Sequence, residues 1–262
     1  MEKLPAVSGW LWVKQGFGLF CKQPGGLTTL FLGYMLCMLA VNFIPVLGQL
    51  LTVILVPVFS VAFLQGCLTI EQGKRILPNL LASGFRKPAV SVLLGLGGLY
   101  IAMFLFAIGV SALIDGGVLW QFVTGQINPD NATDIIRGSN MGMALLVMIA
   151  LYIPAVMGFC FAAPLIYWKQ LSLGKALFFS FFAVWRSKTA FLVFAAVWLG
   201  ISVTTSQLLF GIVGRTQMAM QLMMPVSMIL TVIMHCSFYA SYRHIFGAPQ
   251  ATPVSLDKTP TA

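Results

Sequence analysis

"SLGKALFFSFFAVWRSKTAFLVF", Ser172 to Phe194, places Arg186, Ser187 and Lys188 between two apolar runs. Either one membrane span carries buried charge, or two elements meet at a membrane surface. Length decides between them. Ser172 to Trp185 is about 14 residues, roughly 21 Å of helix, too short for ~30 Å of hydrocarbon. On a helical wheel Leu173, Leu177, Phe181, Val184 and Trp185 share one face. Ser172, Lys175, Ala176, Ser180, Ala183 and Arg186 share the other, with Phe179 the exception. The segment reads as an amphipathic helix in the membrane interface, with Trp185 at headgroup depth. Arg186 and Lys188 then sit at the surface, and a span begins beyond them.

The rest of the chain fits that reading. Of 262 residues, 59% are hydrophobic and 8% charged, where a soluble domain carries about a quarter charged residues. Mean hydropathy is +0.95. Apolar runs of about 20 residues indicate an all-α polytopic membrane protein and exclude a membrane β-barrel, whose strands alternate apolar and polar residues. Six spans are expected: Leu27–Ile44, Gln49–Ile70, Ala89–Ile114, Met141–Tyr167, Thr189–Phe210 and Leu222–Tyr242. Lipid offers no partner to backbone amides, so each must be a helix.

Charge sets the orientation. Thirteen of the fifteen basic residues fall on one side of the spans, and only Arg137 and Arg215 on the other, with Asp115, Asp130 and Asp134. By the positive-inside rule both termini are cytoplasmic. The net charge of +9 is a topology signal and not a nucleic-acid footprint, because no soluble domain gathers it. Lys14 interrupts any apolar core of a cleavable signal. Residues 247–262, rich in Pro and Thr, read as a disordered cytoplasmic tail.

The opening pattern recurs. Phe20-Cys21-Lys22, Phe85-Arg86-Lys87 and Trp185-Arg186-Ser187-Lys188 each follow an amphipathic stretch and precede a span. In the second stretch Leu77, Leu81 and Phe85 are spaced by four. The returning spans hold Pro57, Pro154 and Pro225 at similar distances from Lys74, Lys169 and Arg243. The expected architecture is one transmembrane domain, residues 1–246. It contains three two-span hairpins, each preceded by an amphipathic interfacial helix, in repeats at 8–73, 76–170 and 172–246. The bland alternative is that any hairpin protein carries aromatic-basic pairs at its cytoplasmic edge.

These elements carry a resemblance. An amphipathic helix, an aromatic-basic pair and then a span resembles the six-helix bacterial inner-membrane proteins related to the membrane domain of glycerophosphodiester phosphodiesterases. "GWLWVKQGFGLFCKQPG", "FIPVLGQLLTVILVPVFSVAF", "LIDGGVLW" and "FYASYRHIFG" more closely resemble an uncharacterised family of betaproteobacterial inner-membrane proteins, over about residues 8 to 247. The resemblance implies a membrane location and no activity. No phosphodiesterase catalytic domain is present, so that chemistry does not transfer.

Motifs for chemistry are few. The five cysteines, Cys21, Cys37, Cys67, Cys160 and Cys236, show no C-x-x-C spacing, and inside spans Cys acts as a small apolar residue. No clustered ligands suggest a metal or cofactor. Asn42, Gln65 and His235 are intramembrane polar candidates: each is a functional site or an interhelical hydrogen bond. No charged residue lies in the middle of an expected span, which counts against a proton-coupled transporter. Asn131-Ala132-Thr133 matches a glycosylation acceptor that is incidental in a bacterium.

Three function classes follow. The first is a non-enzymatic protein that organises lipid or partner proteins at the cytoplasmic leaflet. Lys22, Arg86, Lys87, Arg186 and Lys188 would hold anionic lipid headgroups, against the plainer reading that they only set topology. Membrane lipids are its partners, with a membrane protein or a second copy of the chain as further ones, and no nucleic acid. The second is a transporter or channel built on the hairpins. The third, a lipid-modifying enzyme, lacks a convincing nucleophile and base.

Overall fold

The structure is a computed structural model that describes residues 4–45, 47–127, 138–214 and 216–249. Asp130, the 131–133 tripeptide, Asp134, Arg137, Arg215 and residues 250–262 lie outside them. Among the described residues there is no strand, and six helical spans are long and apolar enough to cross a membrane. Each of the six expected spans is found, extended by up to five residues at an end, except that the first ends at Asn42, two residues before the expected Ile44.

The helices in chain order are α1 (Val7–Lys22), α2 (Pro24–Asn42), α3 (Leu47–Glu71), α4 (Ala89–Asp115), α5 (Val118–Val123), α6 (Met141–Cys160), α7 (Ala162–Lys169), α8 (Leu173–Arg186), α9 (Lys188–Val213) and α10 (Gln217–Phe246). A 3-10 helix, Pro78–Phe85, lies between α3 and α4. Spans α2 and α3 pack together, as do α3 with α4 and α4 with α6; α9 and α10 touch only sparsely.

Three short elements precede the outgoing spans: two pack on a pair of spans each, and the third on the two halves of the fourth span. The 3-10 helix lies on α2 and α3, α8 lies on α6 and α7, and α1 lies on α9 and α10. Small residues permit the close approach. A methyl group at Gly84 would overlap the Val58 carbonyl, one at Gly9 the Ala190 carbonyl, and one at Gly16 the Ser237 side chain. The first element of the chain thus rests on the last two spans. The chain is closed on itself at the end that holds most of its Lys and Arg, called the basic end below.

Three local features differ from the sequence expectation. The fourth span is not continuous: it breaks at Phe161 between α6 and α7. Pro164 has no N–H for the Cys160 carbonyl, and its ring crowds that carbonyl. The Ser180 hydroxyl of α8 then inserts into the ladder, accepting from Phe161 N and donating to Met157 O, both at 2.8 Å. Phe161 turns fully inward among Phe191, Phe238, Tyr242 and Phe246, with ring centroids 5.0–6.0 Å away.

The second difference is at Pro78–Phe85. The four-residue leucine spacing suggests an α-helix, but the segment is a 3-10 helix. At about 2.0 Å per residue it reaches further than an α-helix of the same length, and it carries Gly84 into contact with α3. The third is the face that α8 presents. Ala176, Ser180, Ala183 and Val184 are buried against protein, while Phe178, Phe182 and Trp185 are exposed. Ala176, Ser180 and Ala183 of the polar side thus turn to the bundle together with Val184 of the apolar side, whose Leu173 and Leu177 are partly buried against the same core, while Trp185 of that side turns away.

Candidate functional site

The basic candidates occupy equivalent places. Lys22 ends α1, Arg86 and Lys87 follow the 3-10 helix, Arg186 ends α8 and Lys188 begins α9. All five are exposed. Lys188 Nζ lies 5.2 Å from the centroid of the Trp185 ring, a cation–π arrangement. Among the described residues the one ion pair is Arg243 with Glu71, so none of the five is engaged by a carboxylate there.

The intramembrane candidates separate. Asn42, at the end of α2, donates to Thr52 Oγ1 of α3 and to Met38 O, both at 3.1 Å. It joins the far ends of α2 and α3 and lines none of the cavities described below. Gln65 of α3 accepts from Trp168 Nε1 at 3.1 Å and ties the returning fourth span to the second. His235 Nδ1 lies 2.8 Å from Thr231 O. A carbonyl only accepts, so Nδ1 carries the proton and Nε2 remains an acceptor. The ring sits 4.8 Å from that of Phe63.

His235 belongs to a larger feature that single-residue reading misses. Ser227, Thr231, His235, Tyr239 and Arg243 recur every four residues along α10. They form a slowly winding polar stripe along residues 227–243, the part of α10 nearer the basic end. The spacing is legible in the sequence, but its partners are not. At the basic end Tyr239 donates to Glu71 Oε2 at 2.7 Å. Arg243 pairs with Glu71 Oε1 and donates to Gln15 Oε1 of α1 at 3.1 Å. Glu71 escapes a sequence reading because it falls one residue beyond the expected second span. Beside this cluster Trp12 Nε1 donates to His244 Nδ1 at 3.0 Å, and the buried Cys67 and Cys236 thiols lie 3.6 Å apart.

Two recesses adjoin the stripe, and a third lies apart from it. One of about 230 Å³ surrounds His235, with Ser60, Tyr100, Cys160 and Pro164 in its wall. A second, about 180 Å³, lies between α9 and α10 and shares Met234 with the first. The third, about 520 Å³, is an apolar groove between α4, α6 and α8. Among the described residues no three His, Cys, Asp or Glu side chains are grouped to hold a metal.

No family model and no solved structure matches the chain, so nothing supports a kinship with glycerophosphodiester phosphodiesterases. A protein of Burkholderia thailandensis named "Probable inner membrane protein" is 37% identical over 264 residues, covering 98% of this chain and 97% of that protein. With six apolar helices and that relationship over nearly its full length, the chain is a multi-pass membrane protein and belongs to the family of this probable inner membrane protein.

Proposed function

We propose that the protein is a non-enzymatic inner-membrane protein that holds anionic phospholipid at the cytoplasmic leaflet and so organises lipid or partner proteins there. The observation that carries this reading is the repeated placement of Lys22, Arg86, Lys87, Arg186 and Lys188. They are exposed at the ends of three capping elements, with no carboxylate engaging them among the described residues. In this reading the spans form three hairpins, both termini are cytoplasmic, and the caps lie in the interface. The exposed Phe178, Phe182 and Trp185 of α8 meet acyl chains while Arg186 and Lys188 meet headgroups. Each such cation contributes about 1 kcal/mol near an anionic surface. The apolar groove between α4, α6 and α8 offers room for a lipid tail.

A second reading is transport. The polar stripe of α10 and the recess around His235 favour it. Native mass spectrometry separates the two. The wild type and a variant with Ala at Arg86, Lys87, Arg186 and Lys188 are released from nanodiscs of mixed anionic and zwitterionic phospholipid. The lipid reading expects anionic lipid retained on the wild type and lost from the variant. Equal retention, or none, removes that site and leaves transport as the reading to pursue.

A further inference from the structure

The recess between α9 and α10 has a wall unlike its surroundings. Ser202, Thr205 and Ser206 line it from α9, and Ser227 and Thr231 from α10. Three of these hydroxyls give their protons to their own helix: Ser206 to Ser202 O, Ser227 to Met224 O and Thr231 to Ser227 O, each at 2.8 Å. A hydroxyl so engaged keeps its lone pairs, so it presents an acceptor. Trp198 lines the same recess and is only 8% exposed. Its indole N–H has no hydrogen-bond partner and almost no accessible surface, so an oxygen in the recess reaches it once α9 and α10, which touch only sparsely, part slightly. A buried donor without a partner is costly, and native structures seldom keep one without a reason.

Depth and charge narrow the occupant. Trp198 is ten residues beyond Lys188, about 15 Å along the helix from the basic end and so within the hydrocarbon, where it meets Val13 and Phe17 of α1. The hydroxyls lie further on, in the leaflet away from the basic end. No charged side chain lines the recess. An ionic or zwitterionic head drawn to this depth would give up hydration without a counter-charge. A neutral hydroxyl gives up far less, and here it meets both acceptors and a donor. Ser202 and Ser227 are exposed at the bundle surface, so an amphiphile can enter sideways from the bilayer.

We propose that the α9–α10 recess binds the neutral hydroxyl-bearing head of a lipid of the diacylglycerol type, with Trp198 Nε1 as donor and the Ser and Thr hydroxyls as acceptors. The site is separate from the basic-end lipid site and stands or falls independently of it.

The test uses the full chain in nanodiscs with a diacylglycerol carrying a diazirine in one acyl chain. The control is the same compound with its free hydroxyl capped as a methyl ether. Cross-linked peptides are mapped by mass spectrometry. The proposal expects saturable labelling of α9 and α10, competed by unlabelled diacylglycerol. The ether, Trp198→Phe and Thr231→Val should each weaken it about fivefold, the factor for one net hydrogen bond. Thr231→Val keeps side-chain shape and Trp198→Phe keeps an aromatic ring without the donor, and a monodisperse elution profile confirms that the variants fold. Equal labelling by hydroxyl and ether probes, or labelling unchanged in both variants, overturns the proposal.

Discussion

The two ends of the bundle are held by different means. At the basic end side chains bridge distant parts of the chain: Trp12 to His244, Trp168 to Gln65, Tyr239 and Arg243 to Glu71, and Gln23 to Lys74 O. At the far end the side-chain bonds among the described residues stay local, as in Asn42 to Thr52, Asp115 to the start of α5, and the hydroxyls of α9 and α10 to their own helices. The glycines of α1 and α9 show the contrast, although Gly48 in the far α2–α3 turn is also closely approached by the Val41 carbonyl. Gly9 and Gly16 are filled by neighbours, whereas Gly200 and Gly211 on α9 have nothing near them. Of the six spans α3 is the most buried and α9 the least. Specific bonds fix the topology at the basic end. The far end rests on apolar contact, so its helices can part around a ligand at small cost.

Substitutions at the two ends should therefore differ in effect. The largest loss is expected for Gly16→Val, which forces α1 off Ser237 and should cost about 3 kcal/mol in detergent-induced unfolding. Gly211→Val, in open space, should change stability by less than about 0.5 kcal/mol. Similar losses at both glycines would break the comparison. Next comes Arg243→Ala, which strands Glu71. The pair is partly exposed, with side chains 36% and 20% accessible, so the cost should be about 2 kcal/mol, below that of a fully buried pair. Glu71→Gln added to that variant should restore part of the loss. Trp168→Phe leaves Gln65 without its donor and should cost about 1 kcal/mol by the same unfolding measurement. Asn42→Ala, at the far end, should cost about 0.6 kcal/mol or less.

The spans are legible in the sequence because hydrocarbon demands long apolar runs, and the short α8 is legible because it is too short to be one. The break at Phe161 is not. Pro164 hints at it, but Pro57, Pro154 and Pro225 lie within helices that continue. What differs at Phe161 is the Ser180 hydroxyl, 19 residues away. The packing of α1 on α9 and α10 is equally hidden. Gly9 and Gly16 reveal a close approach only once the partner is in place. Of the candidate site, His235 and Gln65 stand out as polar residues in apolar runs. Glu71 and Trp198 do not, since one sits at a span end and the other resembles any membrane tryptophan.

The central structural claim is that the first and last parts of the chain meet, with α3 against α10 beneath α1. The native Cys67 and Cys236 report on it directly, because their sulfurs lie 3.6 Å apart. With Cys21, Cys37 and Cys160 replaced by Ser, membranes treated with iodine, which partitions into lipid, should yield a Cys67–Cys236 disulfide within one chain, identified by peptide mapping. Cross-links only between chains, or unmodified thiols at both positions while iodine oxidises a control pair buried in the same membrane, would contradict the account.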